Sequence, residues 1–434
     1  MKSYKIVFLI IFISNIYYAH CQSDIPFVPF TLRPITSGPV SLALGGASIV
    51  NMDDPFLAIQ NPAKLPLTSF PQFTFGLYSA IFKEISDLDH DCFSGMEGSN
   101  VNELKMNYLG MSYPFRLFSM NMAAAISYYP LYSLERSISF YQNDEQQITN
   151  KRQWRLNQDG YMSSISVAYG VQFHPDWSLG FSVNFFQNDL FDNQLTQETS
   201  MTGSRKSVIQ FDENLRQSLS HEYSGSNFNL GLLWQISPHL KAGAVFQTRR
   251  DNKIKTITTE NYVFNGNPSG SNQIISGTAD LEIPMSWGIG LRYLLINNWK
   301  LLMDFREISW EELRYKKAGD TTQYISGHTE RPQDLNVHMI HVGSVYQSKH
   351  AMGFFVPVFR MGFSFCTDRG MIHPEPDSTI GFGLGFIGRN LDVNIGYQYQ
   401  RYDDIVQETS QAGTLRDRIR NNVIEMSLTY RIKK

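Results

Sequence analysis

The sequence has no cluster of one charge, few cysteines and, beyond its first residues, no long apolar run. Its 37 Lys and Arg residues are balanced by 40 Asp and Glu residues, and no stretch is rich in basic residues. This excludes a dedicated nucleic-acid-binding surface. With 3 Cys among 434 residues, the chain is not a disulfide scaffold. After residue 21 there is no apolar run of about 18 residues, which predicts that the remainder does not cross a membrane as helices.

The first residues have the pattern of an export signal. Lys2 and Lys5 precede an apolar stretch at 6–16, and Ala19-His20-Cys21 follows it. This predicts a cleaved signal peptide over residues 1–21. The alternative is a lipoprotein or a membrane anchor, but His20 stands where a lipoprotein needs a small residue before the modified Cys. We therefore expect an exported protein.

Aromatic residues make up 13% of the chain, with 22 Tyr and 30 Phe, and apolar residues recur at every second position. Near the C-terminus Ile424, Met426 and Leu428 alternate with Glu425 and Ser427. A period of two predicts strands with one apolar and one polar face, as in a transmembrane β-barrel. The other segments with this alternation are 161–173, 177–185, 228–236, 240–246, 287–293, 299–305, 359–365, 382–386 and 391–400.

The connections between these segments alternate in length, and this gives a strand count. Short turns are predicted at 114–118, 174–176, 237–239, 296–298, 347–353 and 387–390. Long polar stretches lie at 83–102, 131–160, 187–221, 250–284, 307–333, 367–377 and 403–420. Bacterial outer-membrane barrels have short periplasmic turns and long outer loops. The sequence therefore predicts an all-β fold, an antiparallel transmembrane barrel of about 14 strands over residues 70–434.

Residues 22–69 match no strand pattern and are rich in Pro, Gly and small residues. One interpretation is a disordered leader. The other is an N-terminal hatch, a plug folded into the lumen, since larger barrels commonly contain one. Apolar residues such as Leu42, Leu44, Ile49 and Phe56 favour the hatch.

Three short motifs in this segment occur in a fixed order: Leu42-Ala43-Leu44-Gly45-Gly46-Ala47, Asp53-Asp54 and Asn61-Pro62-Ala63. In this order they resemble the hatch signature of the FadL-like outer-membrane transporters of long-chain fatty acids and aromatic hydrocarbons. Later blocks also match, at 283–293, 299–310, 360–363, 376–378 and 383–385. Lys64 is a departure, because the family usually has Gly after Asn-Pro-Ala.

The resemblance implies a 14-stranded barrel in the Gram-negative outer membrane, with a lumen closed by the hatch. It implies passive uptake of a hydrophobic small molecule, captured at the outer side and often released sideways into the bilayer through a gap in the wall. The hatch residues carried over by motif are Gly45, Gly46, Asn61, Pro62 and Ala63. The alternative function is that of PorV-like barrels, which resemble this family and act as partner or shuttle components of type IX protein secretion.

Four charged residues are predicted to face the lumen: Arg292, Lys300, Asp304 and Arg306. They either pair with each other or with the hatch, or an arginine meets a substrate carboxylate. The apolar candidates for ligand contact in the outer stretches are Leu131, Tyr132, Leu134, Leu190, Phe191, Phe211, Tyr262, Val263 and Phe264. Packing against the barrel rim is the alternative for each of them.

No enzyme, cofactor or metal site is predicted. The sequence has no G-x-S-x-G motif. Gly383-x-Gly385-x-x-Gly388 matches a dinucleotide fingerprint, but no helix is predicted after it. Gly381, Gly383 and Gly385 are instead predicted to face the lumen and to leave space for a plug or substrate. His338 and His341, three apart on a strand, face opposite sides. Whether Cys92 and Cys366 form a disulfide stays open, because spacing does not establish proximity.

Overall fold

The computed structural model describes residues 33–35, 38–52, 56–89, 93–97, 100–144, 149–188, 193–206, 210–264, 267–268, 273–317, 323–324, 336–366, 377–409 and 413–433. The predicted signal peptide, residues 22–32 of the predicted hatch, the Asp53-Asp54 motif and Cys92 lie outside these residues. Cys366 is buried.

The fold is a closed antiparallel β-barrel of 14 strands, as the sequence predicted. The wall strands, some of them in two segments, are β1 (Gln72–Asp89), β2 (Asn100–Leu117), β3 (Met120–Ser133 and Arg136–Asp144), β4 (Thr149–His174), β5 (Trp177–Gln187 and Gln194–Lys206), β6 (Gln210–Gln235), β7 (Leu240–Gln247 and Arg250–Phe264), β8 (Gln273–Ile283 and Ser286–Ile296), β9 (Trp299–Ile308 and Arg314–Lys317), β10 (Val337–Gln347), β11 (Val356–Cys366), β12 (Asp377–Ile387), β13 (Leu391–Thr409) and β14 (Gly413–Arg431).

The barrel closes where the first strand meets the last. β1 pairs with β14 along its whole length, from Gln72 opposite Arg431 to Asp89 opposite Thr414. Short turns between consecutive strands lie at the six predicted positions, all at one end of the barrel. We call the opposite end the outer end.

The predicted faces of the strands are confirmed. In β14, Glu425 and Ser427 are buried towards the lumen, whereas Ile424 and Leu428 are exposed on the outside. β5 has the same alternation, with Phe181 and Phe185 exposed. A polar inner row and an apolar outer row are the pattern of a barrel surrounded by lipid.

The prediction of long outer loops was wrong for most of the polar stretches. Between residues 131 and 160, for example, β3 continues as Arg136–Asp144 and β4 starts at Thr149. The stretches at 187–221, 250–284 and 403–420 are also mostly strand. Here both faces of the sheet carry polar residues, so the apolar alternation disappears although the backbone pairing continues. Residues 367–376 lie outside the described residues.

The helical elements are short and lie mainly in the segment before β1. They are α1 (Pro39–Ala43), α2 (Leu57–Gln60) and two 3₁₀ helices, Pro62–Leu67 and Trp310–Glu312. Four short strands complete the structure: Arg33–Pro34, Phe93–Glu97, Asn267–Pro268 and Gln323–Tyr324. Within the described residues, no helix is long and apolar enough to cross a membrane.

Candidate functional site

The described residues between 38 and 67 are packed against the lumenal side of the wall, and we call them the hatch. α1 contacts β11 to β14, and the 3₁₀ helix Pro62–Leu67 contacts β2 to β6. Val40, Leu44 and Ala47 form an apolar cluster with the wall residues Leu302 and Val345. The hatch therefore spans the lumen from one side of the barrel to the other.

The Asn61-Pro62-Ala63 motif turns the hatch and fixes it to the wall. The Asn61 side chain caps the 3₁₀ helix, because its Oδ1 accepts from Ala63 N at 3.1 Å. Its Nδ2 donates to Ile49 O at 3.0 Å and to Leu232 O, on β6, at 3.3 Å. Pro62 occupies the first helical position, which has no need of an N–H donor. The motif thus joins two parts of the hatch and one wall strand.

Gly45 and Gly46 form the turn that follows α1. Both have positive φ angles, 62° and 98°, which favour glycine. A Cβ on Gly45 would lie 2.7 Å from the backbone of Phe363, and one on Gly46 would lie 2.6 Å from the ring of His341. His341 Nδ1 also hydrogen-bonds Gly45 O at 2.7 Å. The turn is therefore pressed directly against β10 and β11.

Lys64, the departure from the family motif, is fully buried inside the hatch. Its Nζ donates to Ser48 O at 2.9 Å, to Asn51 O at 3.0 Å and to Gln60 Oε1 at 2.6 Å. An ammonium group has three donors, and each has an acceptor here. Lys64 consequently stabilises the hatch turn that a glycine would leave unsupported.

Two of the four predicted lumenal charges bind the hatch. Asp304 is fully buried, and its Oδ2 accepts from Ser48 N at 2.6 Å and from Ile49 N at 2.8 Å. Arg306 Nη2 donates to Ser48 Oγ at 2.9 Å. Hydrogen bonds to an ionised group are stronger than neutral ones. The wall therefore binds the hatch backbone at Ser48 and Ile49.

Arg292 and Lys300 lie elsewhere, nearer the short turns. Arg292 is opposite Lys241 on the neighbouring strand. Lys300 is four residues before Asp304 on β9, which corresponds to roughly 13 Å along a strand. The four predicted charges thus form two groups, and the group of Asp304 and Arg306 binds the hatch at Ser48 and Ile49.

Glycines line the wall where the hatch backbone touches it. A Cβ on Gly180 would collide with Pro62 and Ala63, and one on Gly362 would collide with Leu44. Gly381 and Gly383 face Leu42 and Ala43, in agreement with the lumenal position predicted for them. The wall glycines in such contacts are Gly170, Gly180, Gly231, Gly243, Gly290, Gly343, Gly362, Gly381, Gly383 and Gly396. Glycine at these wall positions leaves the space that the hatch occupies.

A cavity of about 250 Å³, which we call the hatch cavity, lies beside the hatch. Phe56 and Ile59 of the hatch line it on one side, and Tyr129, Leu131 and Tyr132 of β3 on another. Further lining comes from Val245, Trp287, Ile308 and Met339. Towards the outer end, Tyr132 also packs on an apolar layer of wall residues formed by Leu134, Met162, Leu195, Tyr223, Ile254, Ala279, Leu281, Ile283 and Leu313. Polar side chains, among them Gln60, Asn107, Gln247 and Arg306, line the hatch cavity as well. A concave site with both apolar and polar lining can hold a small molecule.

The wall has a window between β2 and β3. These strands pair only from Leu117 opposite Met120 to Leu109 opposite Tyr128. Beyond this, among the described residues, β2 pairs with β1 and β3 with β4. The short strand Phe93–Glu97 closes the wall again further out by pairing with the second segment of β3.

A second cavity, of about 280 Å³, lies at the window, lined by Tyr78, Lys105, Met106, Tyr128 and Tyr161. It shares Ile35, Asn107 and Pro130 with the lining of the hatch cavity. The N-terminal segment enters here, because Arg33–Pro34 pairs with Ser133 and Tyr132, and Ile35 N donates to Leu131 O at 2.8 Å. The two cavities are therefore adjacent and separated by three residues.

Side chains bridge the window. Lys105 on β2 forms an ion pair with Glu135 on the β3 side, and its Nζ lies 3.6 Å from the centre of the Tyr161 ring. Tyr161 OH donates to Glu135 Oε1 at 2.6 Å. Ser133 Oγ donates to Glu103 Oε1 at 2.9 Å across the same gap. We call these five residues the window network.

The sequence did not reveal the window network, because its charged residues interrupt the alternation by which strands were recognised. Of the apolar ligand candidates, Leu131 and Tyr132 line the hatch cavity and Leu134 belongs to the layer above it. Leu190 and Phe191 lie outside the described residues, and the side chains of Phe211, Tyr262 and Phe264 are likewise not described. His338 and His341 lie on one strand three residues apart, and His341 binds the hatch. Within the described residues, no group of His, Cys, Asp or Glu is arranged to hold a metal.

Comparison with known proteins shows which family the chain matches and which known structures have a similar fold. A family model described as BamG matches residues 2–429. A FadL homologue from Pseudomonas aeruginosa has a similar structure, with a TM-score of 0.63 at 12% identity, covering 93% of this chain and 100% of the other. The toluene transporter TodX from Pseudomonas putida gives 0.57 at 14% identity, covering 93% and 99%. The toluene transporter TbuX from Ralstonia pickettii gives 0.55 at 14% identity, covering 93% and 100%. No curated protein sequence matches significantly. The predicted resemblance to FadL-like proteins is thus confirmed for the fold.

Proposed function

The chain belongs to the BamG family, and we propose that it is an outer-membrane channel for the uptake of hydrophobic small molecules. The observation that carries the proposal is the hatch cavity, which has aromatic and aliphatic lining residues and shares Ile35, Asn107 and Pro130 with the cavity at the window. The outward apolar faces of the strands suit a bilayer. The predicted signal peptide would direct export of the chain from the cytoplasm.

The physical advantage of such a route is the removal of apolar surface from water. A fatty acid or an aromatic hydrocarbon gains about 25 cal/mol per Å² of apolar surface that the cavity buries. Release through the window places the molecule directly in the hydrocarbon of the bilayer. The compound therefore does not have to pass the hatch, which Asp304, Asn61 and the wall glycines hold in place.

Asn107 offers the sharpest test, because it borders both cavities and its side-chain amide has no hydrogen-bond partner. Asn107→Trp should fill the passage and reduce uptake of labelled fatty acids or arenes to the level of cells without the gene. Asn107→Ala is the matched control and should retain uptake. Heat-modifiable migration on gels checks that both barrels assemble. Normal uptake by an assembled Asn107→Trp barrel would refute the lateral route.

The substrate class follows from a panel of labelled long-chain fatty acids and small arenes, given to cells with and without the gene. Loss of uptake for one class, restored by the wild-type gene, supports transport and identifies the class. Unchanged uptake across the whole panel contradicts the channel function.

A second candidate function is a PorV-like partner role in type IX secretion. The observation that favours it is the outer extension of the sheet, where Ile274 and Ile275 on β8 are 73% and 56% exposed. Exposed apolar residues on a projecting strand suit a protein contact. Unchanged uptake combined with a partner protein that stays bound through purification, and is lost from an Ile274→Asp, Ile275→Asp variant, would favour this function.

A further inference from the structure

Asn107 is turned into the lumen by a β-bulge in β2. Gly76 on β1 is opposite Tyr108, but the next residue of β1 is opposite Met106, so Asn107 is the extra residue of the bulge. A bulge changes the direction in which a strand points its side chains, and bulges are common beside functional sites. Asn107 and Tyr108 are both buried, and the Tyr108 ring stacks on Phe56 of the hatch at 4.0 Å. Two consecutive side chains of β2 therefore point inwards.

The side-chain amide of Asn107 is unpaired at both ends. The residue is 3% exposed, and neither its Oδ1 nor its Nδ2 has a hydrogen-bond partner among the described residues. The buried amide of Asn184 shows the ordinary case, because its Oδ1 accepts from Tyr129 OH at 3.2 Å and its Nδ2 donates to Asn227 Oδ1 at 2.9 Å. A buried donor or acceptor without a partner destabilises a fold and calls for an explanation. Asn107 lines both the hatch cavity and the cavity at the window, where a ligand can reach it.

The cation that lines the hatch cavity is already engaged within the protein. Arg306 is attracted by the Asp304 carboxylate two residues earlier on β9, and its Nη2 donates to Ser48 Oγ at 2.9 Å. By contrast, Asn229 is a second lining residue whose Oδ1 has no partner among the described residues, and it is 8% exposed. The unpaired buried atoms at this cavity therefore belong to neutral amides.

The complement of an unpaired amide is a group that both donates and accepts. A primary amide or a lactam has its C=O and an N–H on the same edge, so it can form two parallel hydrogen bonds with Asn107. A carboxylate has acceptors only and satisfies Nδ2 but not Oδ1, and a hydrocarbon satisfies neither. Phe56, Tyr129 and Trp287 line the same cavity and suit an apolar ring beside the polar group.

We propose that the hatch cavity binds a small lipophilic primary amide or lactam, with its amide group paired to Asn107 and its apolar part among the aromatic lining residues. The inference rests on the proposed channel function and names the class of compound that the channel prefers. Arenes and fatty acids still enter the cavity, but they leave the Asn107 amide wholly or partly unpaired and gain less from it.

The test measures the affinities of 4-ethylbenzamide, ethylbenzene and 4-ethylbenzoate for the purified full-length barrel by isothermal titration calorimetry in one detergent. The compounds share the ring and the ethyl chain and differ in the polar group. Asn107→Leu keeps the size of the side chain and removes its amide. The ratio of the amide affinity to the hydrocarbon affinity should fall at least about tenfold from the wild type to Asn107→Leu, because two hydrogen bonds are lost. Asn107→Ala should show the same fall.

The matched control is Asn121→Leu, the same substitution at an exposed asparagine that lines neither cavity. It should keep the wild-type ratio. Heat-modifiable migration on gels checks that all variants assemble.

The outcomes separate the two proposals. Binding of all three compounds with a ratio that is the same in the wild type and in both Asn107 variants refutes the role of Asn107 and leaves the channel function standing. A loss of 4-ethylbenzoate affinity as large as that of the amide refutes the match to a group that donates and accepts. Binding of none of the three compounds by the wild type contradicts both proposals.

Thermal unfolding provides a second measurement on the same proteins. A ligand raises the melting temperature in proportion to how tightly the folded barrel binds it at a given concentration. 4-Ethylbenzamide should therefore raise the melting temperature of the wild type more than that of Asn107→Leu, whereas ethylbenzene should raise both to a similar extent. Equal shifts of the two proteins by the amide would refute the proposal.

Discussion

The hatch meets the wall mainly through backbone, whereas the window is closed by side chains. At β5 and β11 the hatch backbone rests directly on Gly180 and Gly362. At the window, Lys105 and Glu135 reach across a gap between two strands whose backbones do not pair. Side chains change rotamer within nanoseconds, but a backbone held by glycines and a buried carboxylate moves only when several contacts break together. The comparison indicates that the wall opens more easily than the hatch.

The side chains that hold the hatch are also more deeply buried than those that close the window. Asp304 and Lys64, which hold the hatch, are both fully buried. The Lys105 side chain is 38% exposed. Water competes with the exposed ion pair at the window but not with the buried bonds of the hatch. The same number of hydrogen bonds therefore contributes less to stability at the window than at the hatch.

The largest expected effect is that of releasing the hatch. Asp304→Ala leaves Ser48 N and Ile49 N without their acceptor and Arg306 without its neighbouring carboxylate. We expect a loss of about 3 to 5 kcal/mol in the free energy of unfolding, measured by denaturant titration in lipid. Asp251→Asn, at an exposed carboxylate, should change it by less than about 1 kcal/mol. Similar losses for both variants would show that the hatch is not held at Asp304.

A smaller effect is expected from the hatch motif. Asn61→Ala removes the cap of the 3₁₀ helix and the bonds to Ile49 and Leu232. The expected loss is about 1 to 3 kcal/mol, because buried backbone groups lose their partners. Protease digestion should detect a loosened hatch in the folded barrel. Faster uptake with unchanged stability would instead mean that the hatch itself gates the channel. It would contradict the conclusion that the wall opens more easily than the hatch.

The smallest effect on stability and the opposite effect on function are expected at the window. Lys105→Met removes the ion pair with Glu135 while keeping most of the side-chain length. The free energy of unfolding should fall by no more than about 1 kcal/mol. Uptake should increase, measured as the initial rate with a labelled substrate, with Lys83→Met on the neighbouring strand as the control. Slower uptake would indicate that Lys105 binds the substrate instead of closing the window.

The fold could be predicted to the extent that one face of each strand meets lipid. The six turns and the faces of β5 and β14 follow from apolar residues at every second position. The outer segments, such as Arg136–Asp144, were missed because polar residues occupy both of their faces. The window was missed because strand patterns do not show where two strands stop pairing.

Part of the candidate site could also be predicted from the alternation of apolar and polar residues. Alternation placed Asp304 and Arg306 in the lumen, and the hatch motif pointed to Asn61. Neither pattern distinguishes these charges from Lys300, since all lie on one side of β9. The extent of the hatch domain over residues 22–69 stays a prediction, as does the absence of an enzymatic activity.

The order of the chain has a consequence for how the protein is assembled in time. The hatch precedes every wall strand in the sequence, yet its contacts run from β2 to β14, the strand that closes the barrel against β1. The hatch can therefore complete its contacts only once the last strand is in place, although it is the first of these segments to be synthesised.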